Sequence, residues 1–348
     1  MLDVRCSLFS VFFAFLVVKE LKQEVPVKTC TLCPRCCAIP EGGRGACRVR
    51  MNVNGTIVPV TFGKPCAVHV DPMEKKPLFH FHPGESILSI GTAGCNLTCK
   101  NCQNAEISQG DPSALDTYDL PPERLPEWAR REGCTHVAYT YTEPLVSYEY
   151  TLACCKAARA AKLSNVIVTA GYVNEEPLAE LLPFLDAANL DIKAFSDDFY
   201  HKICGASLQP VLRAARQMHA AGVHLEITNL VIPTLNDSDS DIRGLCDWMV
   251  QTLGPQIPLH FSRFFPRHRL MDLPPTPTAT LLRAREIAKQ SGLHYVYIGN
   301  VETADGETTF CPSCNALLIR RAGYRIIQNH LSPAARCPKC ATPIYGRF

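Results

Sequence analysis

The grouping of the thiols limits this chain more than any other feature. Nineteen cysteines occur in 348 residues, and eleven of them are separated from another by two or three intervening residues. Cys30, Cys33, Cys36, Cys37 and Cys47 form one cluster, Cys95, Cys99 and Cys102 a second, and Cys311, Cys314, Cys337 and Cys340 a third. Cys6, Cys66, Cys134, Cys154, Cys155, Cys204 and Cys246 are scattered, as small buried hydrophobes are. A disulfide scaffold is shorter and denser in cysteine, above roughly 8–10%. Thiols this close in sequence suit a metal better than a disulfide, which needs a narrow separation and direction of its Cα atoms. Metal thiolates persist in a reducing compartment, so a cytoplasmic or anaerobic setting is expected. The rest of the composition is that of a globular protein, 47% hydrophobic with a formal net charge of +2. It excludes a mainly disordered chain and gives no electrostatic ground for a nucleic-acid or anionic-membrane binder.

Residues 6–18 are an uncharged apolar run. The run is short of the roughly 20 residues of a membrane span and within the about 7–15 of a signal-peptide core. It leads into Lys19-Glu20-Leu21-Lys22 without a small-residue cleavage site. The readings for residues 1–27 are a weak signal or anchor, a docked extension, or sequence upstream of the true start. The last two are preferred, because export would oxidise the thiols.

From residue 85 onward, short apolar runs alternate with longer amphipathic stretches. Strands are expected at 86–91, 136–141, 165–169, 190–192, 223–231 and 258–262, with a seventh run at 294–298. Helices are expected at 122–131, 146–162, 176–185, 211–221, 239–253 and 278–291. This alternation predicts an α/β fold, a partial (β/α)6 TIM-like barrel, with an open doubly wound sheet as the alternative. The ligand then sits at the C-terminal ends of the strands. The expected division is a Cys-rich module over 28–66, a core over 67–300 and a second small module over 301–348. Both modules are too short to fold on a hydrophobic core alone, so a metal would staple each.

The central cluster, Cys95-Asn96-Leu97-Thr98-Cys99-Lys100-Asn101-Cys102, follows directly on the first expected barrel strand. A four-iron cluster normally takes four thiolates. Three of them, with no fourth nearby in sequence, leave one iron open to substrate or cofactor. The competing reading is zinc with a distant fourth ligand.

This C-x3-C-x2-C motif in that position resembles the signature of radical S-adenosylmethionine (SAM) enzymes. Glu143-Pro144 resembles the superfamily element that holds the SAM amino group, with Tyr141 and Thr142 in place of two glycines. Asp191-Ile192-Lys193 and the segment Asn229–Asp237 are similar to strand-four and strand-five elements of pyruvate formate-lyase activating enzymes. More narrowly, 28–348 resembles the radical SAM component of the AmmeMemoRadiSam system. That likeness rests on Cys30–Cys37, Asp71–Phe81, Cys102-Gln103-Asn104, Tyr297–Asn300 and the paired C-terminal CxxC units. The resemblance implies a [4Fe–4S] cluster on Cys95, Cys99 and Cys102, with Glu143, Asp191 and Lys193 around SAM. It implies reductive SAM cleavage to a 5′-deoxyadenosyl radical that abstracts hydrogen. It also implies an electron donor such as flavodoxin or ferredoxin, and a protein substrate or partners of the AMMECR1 and Memo types.

Cys311-x2-Cys314-x22-Cys337-x2-Cys340 is the pattern of a closed four-thiolate site, with zinc the default and a rubredoxin-like iron the alternative. Cys30, Cys33, Cys37 and Cys47 supply four further thiolates for zinc or an auxiliary iron–sulfur cluster, and spacing does not choose between them. Lys75 and Lys76 read as solvated loop residues, the alternative being that Glu74, Lys75, Lys76 and His80 contact a substrate or the SAM carboxylate near the barrel mouth. His136, His224 and His260 read as hydrogen-bonded interior histidines. Three functions remain: a glycyl-radical activase, a radical enzyme acting on a small molecule or peptide, and a metal-bound scaffold without turnover.

Overall fold

The computed structural model describes residues 26–348; the apolar run of residues 6–18, with Cys6, lies outside them. Two small hairpins come first, β1 (Val27–Thr29) with β2 (Ala38–Pro40) and β3 (Arg50–Val53) with β4 (Thr56–Pro59). The body follows as β5 (Ala67–Pro72), β6 (Ser86–Gly91), α1 (Ala105–Gln109), α2 (Leu125–Arg131), β7 (His136–Tyr139), α3 (Tyr148–Ala160), β8 (Ser164–Thr169), α4 (Glu175–Leu181) and β9 (Ala187–Asp191). It continues through α5 (Asp197–Phe199), α6 (Leu208–Ala220), β10 (His224–Val231), α7 (Asp239–Thr252), β11 (Leu259–Arg263), α8 (Thr278–Gln290) and β12 (Val296–Gly299).

The strands β6 to β12 run parallel, and their order in the sheet follows their order in the chain. A doubly wound sheet would reverse its winding at a switch point. This one never does, so its six crossovers step one way, as in a segment of a (β/α) barrel. The antiparallel β5 covers one edge and β12 forms the other. Strand β5 was not anticipated, because its Ala-Val-His-Val-Asp-Pro sequence leaves His69 and Val70 exposed and carries no continuous apolar run. Helix starts are locally encoded. The Ser238 hydroxyl accepts from the Asp241 N–H to cap α7, with Asp239 and Asp241 in the first turn against the helix dipole.

Side chains alternate between two cores. Leu88, Ile90, Val137, Ile167 and Leu190 pack outward under the helices. Ile87, Ala138, Val166 and Ala187 point inward, onto Met73, Leu78 and Phe81. The segment after β5 therefore plugs the lower end of the barrel, where the strands begin. Glu226 on β10 anchors it, accepting from the N–H groups of Phe79 at 3.0 Å and His80 at 2.8 Å. His224 and His260 donate to the same carboxylate at 3.0 and 2.7 Å. Burial opposes the charge on Glu226, but these hydrogen bonds outweigh it and hold its pKa well below the usual range. These two histidines are thus interior clasps. Lys76 departs from its reading as a solvated residue. Its side chain is 2% exposed and ion-pairs with Asp71 at 2.6 Å, whereas Lys75 keeps 45% exposure.

The C-terminal segment folds as β13 (Thr309–Phe310), β14 (Leu317–Ala322) and β15 (Arg325–Asn329), antiparallel throughout. Leu318, Ile319 and Ile344 pack with Phe79, Tyr295 and Tyr297 of the body. The Arg321 guanidinium donates to the Phe79 carbonyl at 2.6 Å, and Tyr345 Oη accepts from Leu225 N–H at 3.1 Å. This module thereby covers the lower end of the barrel. Among the described residues, no helix is long and apolar enough to cross a membrane.

Candidate functional site

The central cysteines lie on the loop that leaves the C-terminal end of β6. Backbone bonds pin this loop: Thr98 N–H to Cys204 O at 2.8 Å, Lys100 N–H to Ile203 O at 3.0 Å, and Arg269 N–H to Lys100 O at 2.8 Å. Asn96 Nδ2 donates to Tyr172 O at 2.7 Å. Arg35 reaches in from the N-terminal module and donates to the carbonyls of Asn96 and Gly205. Gly94 is left-handed, with φ +91°, and a Cβ there would meet Val49 Cγ2 at 2.3 Å and Cys47 O at 2.7 Å. The loop and the N-terminal module are therefore in backbone contact, which only glycine permits.

Cys95, Cys99 and Cys102 are each partly exposed on this loop. Leu97 N–H donates to Cys95 Sγ at 3.4 Å, and Cys102 Sγ lies 3.2 Å from Ser108 Oγ. Burial, followed by the charge of Glu143, pushes the Cys95 thiol well up. A hydrogen bond with the Cys204 thiol, helped by the charge of Lys193, brings Cys99 down. Among the described residues, the groups of three or more ligand atoms within 4.8 Å of one another are Cys311/Cys314/Cys337/Cys340 and His82/Glu85/His136. The central trio is not one of them, so its sulfurs are spread wider than a single ion would hold them. A donor set of three spread thiols suits a multi-iron core with one corner free.

The other expected residues gather at the same upper rim. Glu143, 1% exposed, accepts from Thr169 Oγ1 at 2.7 Å, Ala170 N–H at 2.9 Å and Leu145 N–H at 3.2 Å. A carboxylate has about four acceptor sites, so one remains for a ligand ammonium. Burial raises the Glu143 pKa against these bonds. Asp191 and Lys193 pair at 2.6 Å, both partly open to solvent. Burial disfavours the lysine charge, but Asp191 and Cys99 outweigh it and raise the Lys193 pKa. Asn229 and Asn236 donate to the carbonyls of Ile192 at 2.8 Å and Lys193 at 2.7 Å, so their amides shape the Asp191–Lys193 backbone.

One neighbour escaped sequence reasoning. Cys204 is fully buried beside Cys99. A turn of π-helix over Tyr200–Cys204, closed by left-handed Gly205, carries it there. Nothing in a lone cysteine outside the three clusters signals that contact. Tyr141 also has a definite place. Its hydroxyl donates to Asp71, and it borders a cavity of about 380 Å³ with His69, Asp71, Lys75 and Asn104, beside the cysteine loop.

The C-terminal four close on one another, with Cys311–Cys340 at 3.5 Å and Cys314–Cys337 at 3.6 Å. Hydrogen bonds from the Thr342 hydroxyl and N–H hold the Cys340 thiol down to about 6. The N-terminal four line a common small cavity with Arg50 and Asn96. Burial pushes Cys33 up to about 11.

A family model described as the radical SAM superfamily matches residues 89–248. An uncharacterised protein of Methanocaldococcus jannaschii is 45% identical over 316 residues, which is 90% of this chain and 94% of that protein. The isethionate sulfite-lyase activating enzyme of Nitratidesulfovibrio vulgaris is 26% identical over 257 residues, 72% of this chain and 80% of its own. A radical SAM methyltransferase of Sphaerobacter thermophilus shares the fold with a TM-score of 0.50 at 15% identity, over 68% of this chain and 71% of its own.

Proposed function

The chain belongs to the radical SAM superfamily of iron–sulfur enzymes, and we propose that it cleaves SAM reductively at the upper rim of its barrel. The observation that carries this reading is the convergence of Cys95, Cys99 and Cys102 with Glu143, Asp191 and Lys193 at the C-terminal ends of the parallel strands. Cys95, Cys99 and Cys102 would hold a [4Fe–4S] cluster, which when bound and reduced would supply the electron for cleaving SAM to methionine and a 5′-deoxyadenosyl radical able to take a hydrogen atom from the substrate. The residues do the rest. The trio provides three thiolates. Glu143 offers its remaining acceptor site to the SAM ammonium. The Lys193 ammonium, held by Asp191, places a positive charge beside Cys99 and favours its thiolate form. An electron donor of the flavodoxin or ferredoxin type completes the reaction. The test incubates reduced, reconstituted enzyme with SAM and measures 5′-deoxyadenosine. Cys99→Ala should abolish it, and absence of product from the fully loaded wild type would leave only a non-catalytic scaffold.

Two substrate classes remain. A glycyl-radical protein follows from the likeness to activating enzymes, with partners of the AMMECR1 and Memo types as candidates. The cavity beside Tyr141 favours the second class, a small molecule or peptide side chain. Its volume of about 380 Å³ lies within the range of small-ligand sites, about 300–1,000 Å³. A glycyl-radical signal on a protein partner in paramagnetic resonance would select the first. For the C-terminal four we propose a single structural zinc ion.

A further inference from the structure

Spacing alone leaves Cys30, Cys33, Cys37 and Cys47 between zinc and an iron–sulfur cluster. Their placement separates the two. Tetrahedral zinc with bonds of about 2.3 Å holds its thiolates about 3.8 Å apart. The C-terminal four approach that spacing. Among the described residues, no three of the N-terminal four bring their sulfurs within 4.8 Å of one another. The same holds for the central trio. Yet all four thiols line one cavity, and Cys30, Cys33 and Cys47 are buried. Thiolates that converge on a common space but stand too far apart for one ion suit a multi-iron core between them.

Arg50 is an independent second observation. It lines the same cavity and is 7% exposed. Its Nη1 pairs with Glu149 and its Nη2 donates to Ile57 O at 3.3 Å, but its buried Nε has no partner. A buried donor without an acceptor is destabilising, because it has lost its water and gained no partner. An anionic cluster in the cavity would supply that acceptor. The Arg50 backbone N–H already donates to Cys47 Sγ at 3.4 Å.

We propose that Cys30, Cys33, Cys37 and Cys47 hold a second iron–sulfur cluster, with the Arg50 guanidinium against it, and that this cluster relays electrons to the catalytic one. The relay rests on the radical SAM reading; the cluster itself does not. Asn96, next to Cys95, lines the cavity, and the backbone of Cys47 touches Gly94. The path between the two thiol sets is thus one residue long. In the relay a low-potential one-electron donor protein is oxidised by one electron and the N-terminal cluster reduced by one. That cluster then returns to its oxidised state as the electron passes on, and no bond or proton moves.

The test counts iron, acid-labile sulfide and zinc in full-length protein, purified and reconstituted anaerobically. The variant Cys95→Ala/Cys99→Ala/Cys102→Ala should keep about four irons and sulfides, with a paramagnetic signal on reduction by dithionite. Cys30→Ala/Cys33→Ala should lose that share and keep the catalytic one, which guards against misfolding of either variant. Arg50→Gln in the triple variant should move the retained cluster to a more negative potential, because a nearby cation stabilises its reduced form. Zinc without iron in the triple variant, or loss of all its iron, overturns the proposal while leaving SAM cleavage by the wild type intact. An unmoved potential removes Arg50 from it. Two loaded clusters with no 5′-deoxyadenosine would instead defeat the catalytic reading alone.

Discussion

Substitution of Gly94 by alanine tests how the N-terminal module and the catalytic loop are joined. The residue has φ +91°, and a left-handed conformation costs a residue with a Cβ about 1–2 kcal/mol. The added carbon would also stand 2.3 Å from Val49 Cγ2 and 2.7 Å from Cys47 O. Val49 is fully buried against Cys47 and Val146 and has no room to turn away, and the second atom is backbone. Overpacking of this kind costs about 1–3 kcal/mol. The sum, about 2–5 kcal/mol, corresponds to a fall in melting temperature of about 4–10 °C at roughly 2 °C per kcal/mol. Gly222→Ala is the control, with φ +74° and nothing within 4 Å of its added carbon. It bears the backbone cost alone, about 2–4 °C on the same scale. Thermal melts of the metal-loaded proteins measure both, together with iron content and 5′-deoxyadenosine yield. Gly94→Ala should melt lower than the control and lose SAM cleavage, because the loop bearing Cys95 is displaced. Equal melting of the two variants, with wild-type cleavage by Gly94→Ala, would refute the backbone contact.

Cys204→Ala should keep its iron and its SAM cleavage if the central trio alone holds the catalytic cluster; loss of about four irons would make Cys204 a ligand. Cys314→Ala should lower solubility and zinc content while soluble protein still cleaves SAM, and an equal loss of cleavage would place the C-terminal site in the chemistry. Acid sensitivity follows from His80, which burial lowers from its ordinary 6.5 to about 3. The unfolded chain takes up this proton below pH 6.5 and the folded one does not. Stability should therefore fall by about 1.4 kcal/mol per pH unit between pH 6.5 and 4.5. His80→Leu should flatten that slope by the same amount in denaturant titrations, and an unchanged slope would count against the burial argument.

The sequence by itself determined the repeating α/β body and the central cysteine loop. Parallel strands buried on both faces are written as short apolar runs, and ligands packed into C-x3-C-x2-C need no tertiary partner to be recognised. It also identified the C-terminal quartet, whose two CxxC units the hairpins β13–β15 bring to 3.5–3.6 Å contacts. Tertiary structure decided what depends on residues far apart in the chain. The strict strand order excluded a doubly wound sheet. Lys76 became a buried ion pair because the plug carries it inside the barrel against Asp71. Cys204 reached Cys99 only through a π-helical turn from another crossover. The proposal for Cys30, Cys33, Cys37 and Cys47 rests on distances between sulfurs, which spacing along the chain does not encode, and on the unpartnered Nε of Arg50. Local pattern announces a ligand set, whereas the width of the space it encloses depends on how the module packs against the barrel.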